Sequence, residues 1–346
     1  MIMIDKLVKL LIPTYFFCSF LFSSTMGFSL SGQYLVALSA IGKNDYTTVT
    51  EKYFQLLKLD QSDPRMYKEA LIFAVVSGDV PKAVTLAEKI HSLGLNLPVG
   101  DIIRLVDFIK NSEFIEARKI INLTPQSFPN ILRGFIDAWI EVENDNLTQG
   151  IKLMEFARDD FKWLYLYHVA IALALNGQFE RASEFLDQIN ERIPVFEKYS
   201  HLVRAQIFSQ NAEPEKAFKL LQKVDIQSYD FVYSSALLKL ENNLALEFDT
   251  FHDSNDAIAN IFSFLSLLIS ETEKDPLSEI FYLRLAKYIS GNTQLYELKL
   301  AKLLSHAGID DLAMNSFTSV TIDDHQFLEA QLGIVDLLLD LKFNLK

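Results

Sequence analysis

A small residue recurs along the chain at a nearly constant interval, each time near the start of an amphipathic run. The successive intervals are 34, 34, 33, 32 and 35 residues. The residues at this position are Val49, Ala83, Ala117, Gly150, Ala182 and Ala217. A period in this range is typical of stacked helix–turn–helix units. The spacing therefore predicts an all-α solenoid, in which each unit contacts mainly its neighbours.

A polar or glycine-containing break precedes each small residue by about five positions. Gly78-Asp79 and Gly177-Gln178 are examples, and each predicts the turn between a first helix A and a second helix B. The pattern skips after Ala217 and returns at 308–313, where Ala313 lies 96 residues further on, or three steps of 32. The small residues predict a close crossing of helices A and B within each unit.

The stretch 225–292 fits the period less well, so it is interpreted as one or two degenerate helical repeats. Its polar segment 249–256 predicts a loop that ends in a helix N-cap at Ser254 or Asn255. Apolar runs over 257–270 and 277–289 predict the helices that follow. The last run, 327–341, predicts a helix A that has no helix B after it.

The units resemble the tetratricopeptide repeat family over about 31–224 and, less closely, over 293–346. Small residues occupy the family's close-packing position in several A helices, and the segment 57–60 (Leu-Lys-Leu-Asp) is similar to the family's unit ending. Leu71 and Leu105 depart from the small residue expected there, and Tyr67 replaces the family's common tryptophan. The resemblance implies a right-handed superhelix of seven to nine helix pairs. Over most of its length the chain also resembles secreted repeat proteins of alphaproteobacterial type.

The resemblance further implies a concave groove lined by A helices that binds a protein or peptide partner. The residues that match the groove positions are Lys68, Ile72, Ile102, Val106, Leu132, Phe135, Trp139, Tyr167 and Ile171. This surface is unusually apolar, which favours either an extended or helical partner or coverage by protein. A tight superhelix, a second subunit or the chain's own C-terminal half could each provide that coverage.

The first 27 residues have the tripartite form of a secretory signal. Lys6 and Lys9 precede an apolar stretch at 10–22, which is shorter than the ~20 residues of a spanning helix, and small residues follow up to Gly27. Cys18, the only cysteine, lies in this segment, so cleavage would leave a chain without thiols. We expect export to a periplasm and no integral membrane span after cleavage. An uncleaved anchor in the inner membrane is the alternative.

These boundaries divide the chain into a signal peptide at 1–27, six repeats at 28–224, degenerate repeats at 225–292, and a repeat with an unpaired helix at 293–346.

The formal charge of −13 argues against nucleic acid or an anionic membrane as partner. We find no catalytic motif, cofactor motif or helical zinc spacing, and expect no enzyme activity, cofactor or metal. The acidic strings around His252 and His325 are interpreted as a solvated loop and a helix cap.

The sequence thus predicts an exported scaffold that binds a polypeptide in its groove. Two alternatives remain: a helical support domain for a peptidoglycan-processing enzyme of the cell envelope, and a self-associating structural protein with a second copy in the groove.

Overall fold

The computed structural model describes residues 30–189, 197–224, 231–272, 275–291, 294–322 and 326–344. All regular secondary structure in these ranges is helical, and consecutive helices pack on one another in sequence order except at one junction in the C-terminal third. The prediction of an all-α solenoid is confirmed. The predicted signal segment and the cap around His325 lie outside the described residues.

Twelve helices form six consecutive A–B pairs in the first two thirds of the chain. Their bounds are α1 Leu30–Ile41, α2 Tyr46–Leu59, α3 Pro64–Ser77, α4 Val80–Ser92, α5 Pro98–Lys110, α6 Phe114–Leu123, α7 Asn130–Glu143, α8 Leu147–Met154, α9 Lys162–Leu175, α10 Phe179–Leu186, α11 Glu197–Gln210 and α12 Pro214–Leu221. Short 3₁₀ turns follow α6 at Pro125–Ser127 and α8 at Glu155–Ala157.

The turn from helix A to helix B has the same backbone geometry in every unit. One residue has a positive φ, and the next donates its N–H to a carbonyl five residues earlier. This is the Schellman arrangement, which satisfies carbonyls at the end of helix A. The positive-φ residues are Asn44, Gly78, Ser112, Asp145, Gly177, Ala212, Asn243 and Gly308. The turn at Asn243 is an additional one that the sequence pattern passed over.

The chain departs from the repeat after Asn243. Helix α13 (Phe231–Glu241) ends there, but a non-helical segment replaces its helix B. This segment is bound to α11: Ser209 Oγ accepts from the Leu246 N–H, and Gln206 donates to Asp249. Because these polar contacts hold a non-helical backbone where a helix B would lie, the 34-residue pattern is lost here.

Two long helices follow, α14 (Ser254–Thr272) and α15 (Pro276–Ile289), and they pack against each other. The carboxylate of Asp253 accepts the Asp256 N–H at 2.9 Å at the start of α14. The cap is thus one residue before the predicted Ser254 or Asn255, because aspartate supplies the stronger charged acceptor for the first turn.

The C-terminal part contains α16 (Gln294–His306), α17 (Asp310–Thr318) and α18 (Phe327–Asn344). Helix α18 packs on α16 and α17 but leaves Leu328, Leu332, Val335 and Leu339 exposed on one side. The turn before α17 contacts the first turn of the array, where Asn44 Nδ2 donates to the Gly308 carbonyl at 3.0 Å. The two ends of the described array therefore approach each other.

The close crossing that the small residues predict is visible at Gly150. A methyl group at this position would lie 2.5 Å from Val142 Cγ2 and 2.9 Å from the Ala138 carbonyl oxygen. Helix α8 therefore approaches α7 so closely that a side chain on Gly150 must displace backbone.

We expect Gly150→Ala to lower the free energy of unfolding by about 1–2 kcal/mol, since the strain of overpacking exceeds the gain in helix propensity. Denaturant unfolding followed by circular dichroism measures this. Gly291→Ala is the matched control, because nothing lies within 4 Å of a methyl group there. Equal stability of Gly150→Ala and the control would contradict the close crossing.

Candidate functional site

The candidate site is the inner wall, which we define as the faces of the A helices α3, α5, α7 and α9 that carry the predicted groove residues. Seven of the nine predicted residues are buried, and they are Ile102, Val106, Leu132, Phe135, Trp139, Tyr167 and Ile171. Lys68 is exposed and Ile72 is half-buried, both on α3. The accessible part of the predicted groove in this conformation is thus its α3 end.

The α14–α15 pair packs along this wall. Helix α14 contacts α7, and α15 contacts α3, α4 and α5. At the start of α9, the ring of Phe264 in α14 meets those of Trp163 and Phe161 edge to face, with centroids 5.5 and 6.2 Å apart. The chain's own C-terminal half therefore lies against part of these A helices, while Phe135 and Trp139 pack on His168 of the neighbouring helix α9.

Tyr288 forms the polar contact between α15 and α5. Its hydroxyl donates to Asp107 Oδ1 at 2.8 Å, and Lys110 Nζ donates to the Tyr288 carbonyl at 3.2 Å. The Lys110 ammonium also lies 4.1 Å from the centre of the Tyr288 ring. Burial and the neighbouring carboxylate of Asp107 raise the pKa of Tyr288, so its hydroxyl stays protonated and keeps donating. We call these three residues the Tyr288 latch.

Arg284 lies one helical turn before Tyr288 and reaches the C-terminal end of α3. Its guanidinium is so close to Gly78 that a methyl group there would lie 3.3 Å from its Cζ. Arg284 is 8% exposed, and its Nε has no hydrogen-bond partner. A cation at a helix C-terminus interacts favourably with the helix dipole. Burial lowers the pKa of Arg284, and the nearby carboxylate of Glu297 opposes this effect.

The wall contains a buried polar pair between α7 and α9. Trp139 Nε1 donates to His168 Nδ1 at 3.2 Å, which places the imidazole proton on Nε2. His168 is fully buried, its Nε2 has no partner, and burial lowers its pKa to about 3. Phe135 and Tyr167 pack against the same imidazole, at centroid distances of 4.9 and 5.7 Å. The imidazole is therefore neutral at physiological pH and part of the core.

The described residues hold no group of three or more histidine, cysteine, aspartate or glutamate side chains placed to bind a metal ion. His252, the most metal-like candidate of the sequence, is exposed and pairs through Nδ1 with Asp256 at 3.0 Å. Asp256 in turn accepts from Ser290 Oγ at 2.6 Å. This carboxylate thus joins the ends of α14 and α15.

Among the described helices, none combines the length and apolar character needed to cross a membrane.

An open cleft of about 790 Å³ lies on the outer face between α2 and α4. Lys58, Lys82 and Lys89 line it together with apolar side chains, and Lys82 Nζ stands 4.5 Å from the centre of the Phe54 ring. The carboxylates of Glu51 and Asp79 also line the cleft and offset part of its positive charge.

The Tyr288 latch and Arg284 were missed by the sequence interpretation. Asp107 and Tyr288 are 181 residues apart, and neither belongs to a recognisable motif. The only sequence signal was the strongly apolar character of α14, which indicates a helix covered on several sides.

No family model matches the chain, and no curated protein matches it either. One similar solved structure is that of Naa15/Naa10 bound to HypK-THB, with a TM-score of 0.28 and 13% identity over 84% of this chain and 51% of that chain. The chain thus spans about half the length of that protein. The yeast Tom70 structure has a TM-score of 0.25 and 12% identity, over 90% of this chain and 88% of that chain. Similarity this weak carries no argument about function.

Proposed function

We propose that this protein is a non-catalytic scaffold for protein–protein interactions, and that its inner wall binds an α-helical segment of a partner. The observation that supports this is the placement of α14 and α15, which lie against A helices of three consecutive units. This placement supports a wall that accepts helices laid across the array. Helix-in-groove recognition uses the same physics, an apolar face buried in an apolar groove.

The chemistry of the wall favours a polypeptide over other ligands. Its buried side chains are aliphatic and aromatic, and the polar groups at its edge, Asp107 and Lys110, are suited to single hydrogen bonds. A net charge of −13 disfavours nucleic acid and anionic lipid surfaces. The resemblance to tetratricopeptide repeats favours the same class of partner.

Site-specific photo-crosslinking tests the scaffold role. A benzophenone amino acid replaces Lys68, the exposed predicted groove residue on α3, and the matched control carries it at Lys119 on the outer helix α6. We expect a discrete protein adduct in cells from position 68 and none from position 119. No adduct at 68, or the same adducts at both positions, would contradict binding at the wall.

We also propose that the chain is exported, with its first 27 residues removed. The supporting features are the basic, apolar and small-residue sections of the N-terminal sequence. Mass spectrometry of the periplasmic fraction should identify a mature chain beginning at Phe28. A chain that keeps Met1 in the inner-membrane fraction would instead support the anchored alternative.

Self-association is the second candidate function, and the apolar stripe of α18 favours it. Leu328, Leu332, Val335 and Leu339 repeat at helical spacing on one exposed side. Such a stripe on a second copy would be complementary to it, as in a symmetric dimer. Light scattering on the mature chain should then show twice the monomer mass, and Val335→Glu should restore the monomer. A monomeric wild-type chain would remove this candidate.

A further inference from the structure

The α14–α15 pair differs from the other helices in how it joins the array. It is not stacked on the preceding helix α13, because the non-helical segment 244–253 carries the chain across to α3, α5 and α7, whereas on its other side α15 packs on the following helix α16. The pair is an antiparallel hairpin that packs on itself and lies against the wall. This is the place that a partner helix would occupy under the proposed function.

Buried polar atoms of the pair offset part of the free energy that holds it against the wall. Three of its buried polar atoms have no hydrogen-bond partner: Asn255 Oδ1, Asn260 Oδ1 and Arg284 Nε. Burying an unpaired polar atom is unfavourable, and water would satisfy each of them in an open state. The polar contacts to the wall that favour the closed state are concentrated at Tyr288, Asp107 and Lys110.

Release of the pair would expose apolar side chains of the wall, so the open state is a minor one unless another helix takes the place of the pair. A partner must then bind the open wall tightly enough to offset the free energy of releasing the pair from the wall. Conversely, any change that weakens the Tyr288 latch without altering the wall raises the open fraction and the apparent affinity for the partner.

We infer that the α14–α15 pair is an autoinhibitory occupant of the inner wall, displaced by a partner helix of matching chemistry. That helix carries an apolar face with a basic residue and, four positions later, a hydroxyl-bearing aromatic residue, as Arg284 and Tyr288 do in α15. The basic residue meets the C-terminal end of α3 at Gly78, and the hydroxyl donates to Asp107. This inference rests on the proposed function.

The test uses the mature chain and a fluorescent synthetic peptide with the sequence of residues 276–289. Tyr288→Phe removes the hydroxyl bond to Asp107 and keeps the ring. Lys110→Met removes the exposed cation and keeps the side-chain stem. Tyr53→Phe is the matched control, since its buried ring packs at a tilt against Phe73 with centroids 5.5 Å apart, far along the chain from the latch.

We expect the Tyr288→Phe chain to bind the peptide about tenfold more tightly than the wild type, because its closed state loses a charge-assisted hydrogen bond while the wall that the peptide meets is unchanged. The Lys110→Met chain should gain no affinity, because the peptide loses the same Lys110 contact to its Tyr288 carbonyl that the closed state loses. Hydrogen exchange should accelerate about tenfold in α5 and α15 and stay unchanged in α11. The Tyr53→Phe chain should match the wild type in both measurements.

Equal peptide binding by the wild type and the Tyr288→Phe chain, or none by either of them, overturns the inference. So does faster exchange in every helix at once, which would make the pair an inseparable part of one cooperative core. These failures are distinct from failure of the scaffold role, because an adduct at position 68 can persist without any effect of the latch.

Discussion

We expect Trp139→Ala to lower the free energy of unfolding by about 3–5 kcal/mol, the usual cost of truncating a buried tryptophan. The indole is fully buried, packs on His168 with centroids 5.9 Å apart, and donates its N–H to the same imidazole. Alanine would leave a cavity and an unpaired imidazole nitrogen. Chemical denaturation followed by circular dichroism measures the loss.

Trp163→Ala is the matched control, because this second tryptophan is only half-buried. Its ring meets Phe264 of α14, so its loss weakens one edge of the pair without opening the core. We expect the control to lose less stability than Trp139→Ala. If Trp139→Ala were as stable as the control and had lost only partner capture, the indole would belong to an accessible groove.

Acidification from pH 7 to pH 5 should cost the folded chain about 2 kcal/mol through His168 alone, taking about 6.5 as the unfolded pKa. Burial lowers the folded pKa of His168 to about 3. Below about pH 6.5 the unfolded chain therefore binds a proton at His168 that the folded chain does not bind. Stability is thus lost as the pH falls from about 6.5 to 5. Above pH 6.5 both states are neutral and the effect vanishes.

The variant His168→Asn tests this assignment, since the amide oxygen can accept from the Trp139 indole but does not titrate. We expect it to be less stable than the wild type at pH 7 and to lose about 2 kcal/mol less between pH 7 and pH 5. Urea titrations at several pH values measure both quantities. An identical pH dependence in the two chains would show that His168 titrates normally and is accessible to water.

The repeat could be predicted because its signals are local. The positive-φ residues at Gly78, Gly177 and Gly308 fall in breaks that the sequence marks with glycine, and Gly150 marks a close crossing. Asn243 was missed because no helix B follows it, so the spacing that reveals the other turns has no second half there. The cap at Asp253 was missed by one residue, since the sequence offers several adjacent polar residues that can cap a helix and does not show which one begins it.

The groove residues illustrate the limit of the same approach. Their position on A helices follows from helical spacing, and the structure places all nine on α3, α5, α7 and α9. Their accessibility does not follow from spacing, because an apolar face looks the same in sequence whether a partner or the chain itself covers it. Phe135 and Trp139 were therefore predicted to form a binding surface, whereas the structure shows both side chains buried.

The sequence by itself determined the unit: two helices, a left-handed turn residue and a small residue at their crossing, repeated about every 34 positions. These features depend on residues within one unit, where backbone geometry and side-chain size act over a few positions. Only the tertiary structure decided what lies against the inner wall. The contacts that hold α14 and α15 there, such as Tyr288 with Asp107, join residues 181 positions apart. Such pairs form only through the packing of the whole chain, and no local sequence pattern predicts them.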